Sequence, residues 1–217
     1  CSGLKKINLN ESSLATVNSY AFQNCSGLTS ITFPESLTTV NSYAFQNCSG
    51  LKSITVPAGV TVINQGVFSG CTGLTEVTLP ETLTTICSYA FQNCQFTSID
   101  IPDSVTTMSA GAFNNCTKLS EVGYPASWTT TWDYNNRIYY SDSDSDYYTP
   151  FSGCTSLKTI TIDEGVTAVP KHAFRNCTSL EEAILPESLT NIGAYAFYGC
   201  SGLKKINLNE SSLATVN

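Results

Sequence analysis

Cysteine is the residue of this sequence with the widest chemical repertoire, because its thiolate binds metals, attacks electrophiles and forms disulfides. The chain has ten cysteines, and nine of them recur at a nearly constant interval, with one longer gap between Cys116 and Cys154. A metal site requires several ligands that converge on one ion, whereas residues that recur once per repeat lie along a line. We therefore predict buried free thiols that each fill a small apolar position, and no metal site. The nine are Cys1, Cys25, Cys48, Cys71, Cys94, Cys116, Cys154, Cys177 and Cys200.

Disulfides between neighbouring repeats are the alternative for these cysteines. Adjacent strands lie about 4.8 Å apart, which is within the Cα separation that a disulfide accepts. Parallel side chains stacked in register rarely present the required dihedral angle, and this favours free thiols. Cys87 stands outside the repeat frame, at the position that Asn18 and Asn41 occupy in other units. We expect it near the surface, open to oxidation or to an intermolecular bridge.

A stretch rich in tyrosine and aspartate is the second place where side chains could bind a ligand. It lies in the longer gap after Cys116, where the excess over the usual spacing falls roughly at 133–147. Long loops on rigid scaffolds often carry function, and Tyr offers a large amphipathic contact area at a small entropic cost. We predict a binding loop, with a tolerated surface excursion as the alternative. Its candidate residues are Tyr134, Tyr139, Tyr140, Tyr147, Tyr148, Asp142, Asp144 and Asp146.

The aspartates of this stretch resemble half of a calcium-binding loop. Asp142, Asp144 and Asp146 match its first three ligand positions. However, Tyr147 stands where that loop needs Gly, and Gly153 stands where it needs Glu. We therefore predict a solvated acidic turn.

Catalytic residues are not indicated by the sequence. The single histidine, His172, follows Lys171 at a position where other units have Tyr. We expect it to be a packed or surface residue rather than a general base. Neither a Gly-rich phosphate loop nor an HExxH motif occurs. We predict a protein that is not an enzyme and uses no cofactor.

The elements that must position these residues recur with a period of about 23 residues, which is in the range typical of solenoid proteins. The unit Cys25 to Asn47, CSGLTSITFPESLTTVNSYAFQN, is followed in the same frame by CSGLKSITVPAGVTVINQGVFSG from Cys48. Apolar and polar residues alternate over 28–33, which predicts a short strand. Proline follows this strand in six units and ends it, because proline has no N–H for a ladder. The repeated strand and turn therefore predict a solenoid.

Phenylalanine stands three residues before the next repeat cysteine in all eight complete units. We predict that each ring packs on the ring of the preceding turn, beside a small residue that lets the backbone close. The segment between strand and Phe is rich in Thr, Val, Ser and Asn, which are weak helix formers. We expect this return segment to be extended or 3₁₀. The eight rings are Phe22, Phe45, Phe68, Phe91, Phe113, Phe151, Phe174 and Phe197.

The combined pattern C-x-x-L-x-x-I-x-[FVL]-P-x-x-[LV]-T-x-[VI]-x-x-x-A-F-x-[NG] resembles the BspA-like, or treponemal-type, leucine-rich repeat. The resemblance covers the chain apart from the stretch near 133–147. It has departures, since Asn10, Asp163 and Asn209 replace the proline and Phe96 is displaced from the Leu position. The resemblance implies a curved solenoid of parallel strands on microbial cell surfaces, used for adhesion or protein binding.

We predict a single leucine-rich repeat domain over residues 1–217, with eight full units and a truncated ninth. Its fold is a curved, right-handed solenoid with one parallel β-sheet on the concave face and extended or 3₁₀ return segments on the convex side. Alternation along each strand exposes side chains on the concave face, where we predict a second binding surface. Its candidate residues are Thr32, Lys52, Thr55, Glu76, Thr78, Asp100 and Lys158.

Composition limits the partners of the chain. Its net charge is −7 with scattered basic residues, which argues against nucleic acid because phosphate binding needs clustered Lys and Arg. Only 12% of its residues are charged, as suits a secreted or cell-surface protein covered by Ser, Thr and Asn. No apolar run reaches the roughly 20 residues of a membrane span. We predict an extracellular or cell-surface protein that binds a protein or glycan ligand, or itself end to end.

Residues 1–18, CSGLKKINLNESSLATVN, recur unchanged as residues 200–217, whereas neighbouring units differ at many positions. The identity gives a super-period of 199 (200 minus 1) and predicts a window of a longer array, as does the lack of an initiator Met and a signal peptide. Two functions follow. The first is a non-enzymatic surface scaffold for protein binding or adhesion, and the alternative is a segment of an extracellular filament or stalk built from tandem 199-residue blocks.

Overall fold

The computed structural model describes residues 1–124, 150–208 and 215–216. These residues form seventeen short strands, numbered β1 to β17 in chain order, and no helix. The strands pair into six short parallel sheets, which form two rows that we call the front and back ladders, one on each side of the solenoid turn. The front ladder contains β1 (Lys6–Asn8), β3 (Ser30–Thr32), β5 (Ser53–Thr55), β7 (Glu76–Thr78), β9 (Ser98–Ile99), β11 (Glu121–Tyr124), β12 (Thr159–Ile162), β14 (Glu182–Leu185) and β16 (Lys205–Leu208).

The front ladder is the parallel sheet that the alternating segment of each unit predicts. Every recorded pairing is parallel and in register, with Ile7 opposite Ile31 and Ile54 opposite Val77. The middle residue of each three-residue strand points inward, as Ile31 and Ile54 show by their burial, while their neighbours face solvent or are half-buried. Each sequence unit contributes one strand to this ladder, which confirms the predicted solenoid.

The return segments form a back ladder of two-residue strands, which confirms that these segments are extended. Thr, Val and Ile dominate these strands, and such β-branched side chains favour extended backbone. The structure therefore has a second parallel ladder in addition to the predicted sheet. The back ladder contains β2 (Thr16–Val17), β4 (Thr39–Val40), β6 (Val62–Ile63), β8 (Thr85–Ile86), β10 (Thr107–Met108), β13 (Ala168–Val169), β15 (Asn191–Ile192) and β17 (Thr215–Val216).

The eight predicted phenylalanines form one continuous stack along the core. Neighbouring ring centroids are 5.2–5.8 Å apart and the ring planes diverge by only 4–15°. Phe96, which is displaced from the Leu position, packs edge-on against Phe91 and Phe113 at 6.0 and 6.1 Å. Offset and edge-on aromatic pairs each contribute about 0.5–1.5 kcal/mol beyond the area they bury. The stack is thus the spine of the core.

The repeat cysteines line the same core as free thiols. From Cys25 to Cys177 their side chains are buried, whereas Cys1 is exposed and Cys200 and Cys87 are half-buried. Each repeat thiol from Cys48 onward donates to the carbonyl oxygen of a phenylalanine in an adjacent turn, at 3.1–3.3 Å. A hydrogen-bonded, buried thiol is a structural filler, as predicted.

Two positions of the repeat adopt a left-handed backbone conformation wherever the structure describes them. One precedes the cysteine and is Asn or Gly, as at Asn47 with φ 58° and Gly70 with φ 74°. The other precedes the Ala-Phe pair and is Tyr, Gly or His, as at Tyr43 and Gly66, both with φ 60°. Gly and Asn adopt this conformation at the lowest cost, which explains the N-C and G-C pairs of the sequence.

Candidate functional site

The front ladder carries the predicted surface residues on its strands or directly beside them, since Lys52, Asp100 and Lys158 flank β5, β9 and β12. In β5 and β7, Thr55 lies opposite Thr78 and Ser53 lies opposite Glu76. These residues flank inward-pointing Ile54 and Val77, so the buried residues fix the direction of the exposed ones. All seven predicted residues are exposed to solvent, namely Thr32, Lys52, Thr55, Glu76, Thr78, Asp100 and Lys158.

The ladder brings some of these residues together and keeps others apart. Thr55 and Thr78 are register partners, and Lys52 accepts the backbone N–H of Glu76 on its carbonyl oxygen at 3.3 Å. Lys158, in contrast, precedes β12, three strands beyond β7 along the ladder. The seven residues therefore line a strip that runs along the solenoid, and they do not converge on one point.

Charges of opposite sign meet in neighbouring units of the front ladder. At its far end, Glu181 pairs with Lys204 at 3.1 Å, and Glu182 pairs with Lys205 at 2.9 Å. These ion pairs are exposed, so each contributes only about 0–1 kcal/mol to the stability of the fold. Their main effect is on the register of the neighbouring strands. A strip of hydroxyls and mixed charges suits polar partners of low net charge.

The predicted binding loop lies outside the described residues. This applies to 133–147 and to all of its candidates, Tyr134, Tyr139, Tyr140, Asp142, Asp144, Asp146, Tyr147 and Tyr148. The loop, its tyrosines and its acidic turn remain predictions. Within residues 1–124, 150–208 and 215–216, no group of three or more potential metal ligands comes together.

The thiols and the histidine have environments that oppose catalysis. Burial raises the pKa of Cys48 and Cys200 to about 11, and raises the pKa of the deeper thiols further. His172 is buried and stacks on Tyr195 at 5.1 Å, so of the two environments expected for it, packed or surface, the structure shows the packed one. Burial, together with the charges of Lys171 and Arg175, lowers the pKa of His172. Protonated thiols and a packed imidazole are poor nucleophiles and bases.

A row of aromatic side chains at the left-handed position before Ala-Phe was not identified as a surface from the sequence. Tyr20 stacks on Tyr43 at 5.3 Å, and Tyr195 meets Tyr198 edge-on at 5.8 Å. Arg175 lies over the ring of Tyr198 at 5.5 Å. The available signal was the recurring S-Y-A-F motif, whose tyrosine is next to an Ala-Phe pair that faces the core.

A membrane-spanning helix is not found in the part of the chain that the structure describes. No curated protein matches the sequence.

Known structures place the chain among leucine-rich repeat proteins. The Treponema pallidum leucine-rich repeat protein is 28% identical, with a TM-score of 0.63 over 81% of this chain and 76% of its own. A leucine-rich cell surface protein from Faecalibacterium prausnitzii A2-165 is 27% identical, with a TM-score of 0.54 over 100% of this chain and 78% of its own. The pneumococcal vaccine antigen PcpA, at 19% identity and a TM-score of 0.56 over 97% of this chain and 62% of its own, bears on the fold alone.

The family model described as BspA type leucine-rich repeat region matches six copies, over residues 1–120 and 147–217. These ranges contain nearly every described strand and both ladders. The chain belongs to the BspA type leucine-rich repeat family.

Proposed function

We propose that the chain is a non-enzymatic recognition scaffold at a cell surface, and that its front ladder binds a protein or glycan ligand. The observation that carries this proposal is the exposure of all seven predicted residues along one strip of the ladder. Inward-facing residues of the strands, such as Ile31 and Ile54, hold that strip in place from the core side. A surface that is already ordered loses little entropy when it binds, which favours affinity.

The shape of the strip favours an extended ligand. Its residues follow the strands for many units and include hydroxyls, such as Thr55 and Thr78, beside charges of both signs, such as Lys52 and Glu76. Hydroxyls and mixed charges offer many hydrogen bonds spread over a long face. A folded protein surface or a glycan chain can use such a face, whereas a small molecule binds in a concave, mostly apolar pocket.

The cell-surface location is supported by the similar Faecalibacterium prausnitzii protein, which is a leucine-rich cell surface protein. The low content of charged residues in this chain agrees with such a location. The non-enzymatic character is supported by the protonated, buried thiols and by membership of a repeat-scaffold family.

Binding to a panel of immobilised extracellular-matrix proteins and to a glycan array tests this function. We expect the double variant Thr55→Glu with Thr78→Glu to lose binding, because it places two like charges opposite each other in the middle of the strip. The matched control is Thr61→Glu with Thr84→Glu, which changes exposed threonines of the same two units at the back ladder. Equal loss in both variants, or a wild-type protein that binds nothing on either panel, would contradict the proposal.

A segment of a filament built from tandem 199-residue blocks is the second candidate. The unchanged recurrence of residues 1–18 as 200–217 favours it, because ordinary neighbouring units diverge. Sequencing of the gene on both sides of this segment tests it. Further 199-residue blocks would support a covalent filament, and unrelated flanking domains would exclude one.

A further inference from the structure

We propose that copies of this chain associate side by side, parallel and in register, through ion pairs between two opposite edges of the solenoid. The acidic edge of one copy lies against the basic edge of the next copy. This contact does not involve the front ladder and is independent of what that ladder binds.

The acidic edge is the corner between each front strand and the back strand that follows it. The residue directly after the proline position is a carboxylate in six of the eight complete units, and all six side chains are exposed. A backbone hydrogen bond closes this corner in successive units, as from Val105 to Pro102 at 2.9 Å and from Leu189 to Pro186 at 3.2 Å. The corner is therefore ordered, and the carboxylates form a row along it. The six are Glu11, Glu35, Glu81, Asp103, Glu164 and Glu187.

The corners that form the acidic edge contain no basic residue. Lys and Arg are absent from their sequences, so no cation within a corner neutralises these carboxylates. The Glu164 carboxylate accepts the backbone N–H of Glu187 at 3.1 Å, which aligns it along the edge and leaves its charge in place. Like charges held on a rigid edge repel one another, and a cationic partner relieves that repulsion. The corners are 10–15, 34–38, 57–61, 80–84, 102–106, 163–167 and 186–190.

The basic edge is the opposite corner, where each back strand leads through the cysteine turn into the next front strand. These turns contain no Asp or Glu, and their only Lys and Arg residues are Lys118, Lys171 and Arg175. Lys118 and Lys171 are exposed and Arg175 is half-buried. The two edges of one chain thus differ in the sign of their charge. The turns are 18–27, 41–50, 64–73, 87–96, 109–118, 150–156, 170–179 and 193–202.

Two of the three cations lie close together on one ordered turn. Besides burial, the charges of Lys171 and Arg175 both lower the pKa of His172, so the two cations are near each other. The Arg175 guanidinium lies over the ring of Tyr198 at 5.5 Å, and this contact restrains its orientation. A cationic patch that is already ordered loses little side-chain entropy when a carboxylate binds it.

Cations and carboxylates occur at matching heights along the solenoid. Lys171 and Arg175 belong to the unit 154–176, as does Glu164, and the next unit contributes Glu187 one turn further on. Each turn rises by about 4.8 Å, the spacing of neighbouring strands. Both cations therefore lie within about one turn in height of both carboxylates.

Lys118 has a carboxylate near its own height in the same way. Its turn directly follows the unit 94–115, whose acidic corner contains Asp103. A neighbour that is displaced sideways, without rotation and without a shift along the axis, therefore places all three cations beside carboxylates. A second copy is thus the partner that matches the acidic edge in both charge and spacing.

The contact joins different surfaces of two copies, so it does not close on itself in a dimer. Repetition of such a contact produces an open assembly. Because the copies are related by a sideways displacement alone, the assembly is a row of parallel solenoids whose front ladders all face the same way. Exposed ion pairs are individually weak, so the association is expected to be weak and sensitive to salt.

Charge reversal on either edge of the full chain tests the contact. Lys118→Glu with Lys171→Glu places carboxylates on both edges, and Asp103→Lys with Glu164→Lys places lysines on both edges. We expect each double variant to self-associate about tenfold more weakly than the wild type, because like charges then meet. Sedimentation-velocity centrifugation at low salt, over a wide concentration range, measures the association, and thermal melts establish that each variant is folded.

An equimolar mixture of the two double variants is the decisive measurement. The reversed edge of each variant is complementary to the reversed edge of the other, and their two unchanged edges are complementary as well. We therefore expect the mixture to regain the association that each variant alone has lost. The control is Lys5→Glu with Lys6→Glu, which alters net charge as much as the lysine variant does, at exposed residues on or beside β1 and away from both edges.

Cross-linking with a carbodiimide, which joins an amine to a carboxylate in contact with it, tests the register. In a mixture of isotope-labelled and unlabelled wild-type protein, we expect links between Lys171 of one copy and Glu164 or Glu187 of another. Such links together with restored association in the mixture support the side-by-side contact. A wild-type protein that is monomeric at every concentration, an equal loss in the control, a mixture that stays dissociated, or links from Lys171 only to Glu35 or Glu81 would overturn it.

Discussion

The Sγ atom of Cys71 lies 3.1 Å from the carbonyl oxygen of Phe45, so a buried thiol of one turn is tied to the aromatic spine of an adjacent turn. The same bond recurs from Cys48 to Cys200. A thiolate cannot donate this bond, and burial already disfavours the charged form. The folded state therefore requires each of these thiols to be protonated, so the fold should lose stability at high pH.

We predict that the solenoid unfolds cooperatively near pH 10. Burial raises the pKa of the core thiols above the ordinary value of 9.0, so the folded state holds protons that the unfolded state releases. Stability is thus fully present below pH 9 and falls as the pH rises. At pH 10, five fully buried thiols together lose about 7 kcal/mol, which is comparable to the stability of a typical domain.

Circular dichroism during alkaline titration measures this transition. The matched variant is Cys94→Ala with Cys116→Ala, in which two of the buried thiols are absent. Its free energy of unfolding should depend less steeply on pH between 9 and 10, even though the cavities lower its stability at neutral pH. An identical dependence in both proteins would show that other groups control alkaline unfolding.

We predict that removal of a phenylalanine ring destabilises the fold more in the middle of the stack than at its end. Phe91→Ala removes a fully buried ring that stacks on Phe68 and Phe113, and we expect a loss of about 3–5 kcal/mol. Phe22→Ala removes a half-buried ring that stacks on Phe45, so its loss should be clearly smaller. Urea denaturation of both variants gives the comparison. Equal losses of unfolding free energy in the two variants would mean that a second stacking partner does not stabilise the fold further.

Gly66 is expected to accept a side chain poorly, because the ring of Tyr43 occupies the space beside it. Its φ of 60° is left-handed, and a Cβ at this position would collide with the ring of Tyr43. Gly66→Ala should therefore cost at least about 1–2 kcal/mol, from the backbone conformation alone. Gly3→Ala is the control, because a Cβ there meets nothing within 4 Å. A thermal shift of Gly66→Ala that matches the control would contradict this account of the turn.

His172 predicts a loss of stability in mild acid. Burial, assisted by Lys171 and Arg175, lowers its pKa, so the unfolded state binds a proton that the folded state excludes. Stability should consequently fall as the pH drops through about 6.5, the value of an unperturbed histidine. Other units have Tyr at this position, so His172→Tyr preserves the stack on Tyr195 and removes the titrating group. Melting temperatures from pH 5 to 8 should be flatter in this variant.

The predicted loop at 133–147 should be dispensable for folding. The rings of Phe113 and Phe151, on either side of it in sequence, stack at 5.4 Å like their neighbours. Replacement of 133–147 by a short Gly-Ser linker should leave one cooperative melting transition. If the loop is a recognition site, binding on the protein and glycan panels is lost while the melting curve is unchanged. Loss of cooperative folding would show that its tyrosines support the core.

Most of the fold could be predicted from the sequence because each structural position recurs with the same residue type. Comparison of equivalent positions in different units identified the inward-facing Phe and Cys columns. It also identified Thr55 and Thr78 as exposed. The back ladder was predicted only as extended, because Val62 and Ile63 are a strand of just two residues with no alternation to detect. The pairing of these short strands depends on contacts between units, which the pattern within one unit does not reveal.

The candidate site was less predictable for a related reason. Exposure of Lys52 and Glu76 follows from alternation, but which exposed residues bind a ligand depends on the ligand. The stacking of Tyr20 on Tyr43 depends on a left-handed backbone that is unusual for tyrosine. The sequence shows the residue type at such a position but does not reveal the conformation.

The sequence between β11 and β12 has practical value for protein engineering. More residues separate Phe113 from Phe151 than any other two neighbouring rings of the stack, yet these two rings have planes only 5° apart. Extra sequence between β11 and β12 is therefore compatible with an intact spine. A foreign peptide inserted there should likewise leave the stack intact, and several such insertions along one solenoid could attach antigens or enzymes to it at a fixed spacing.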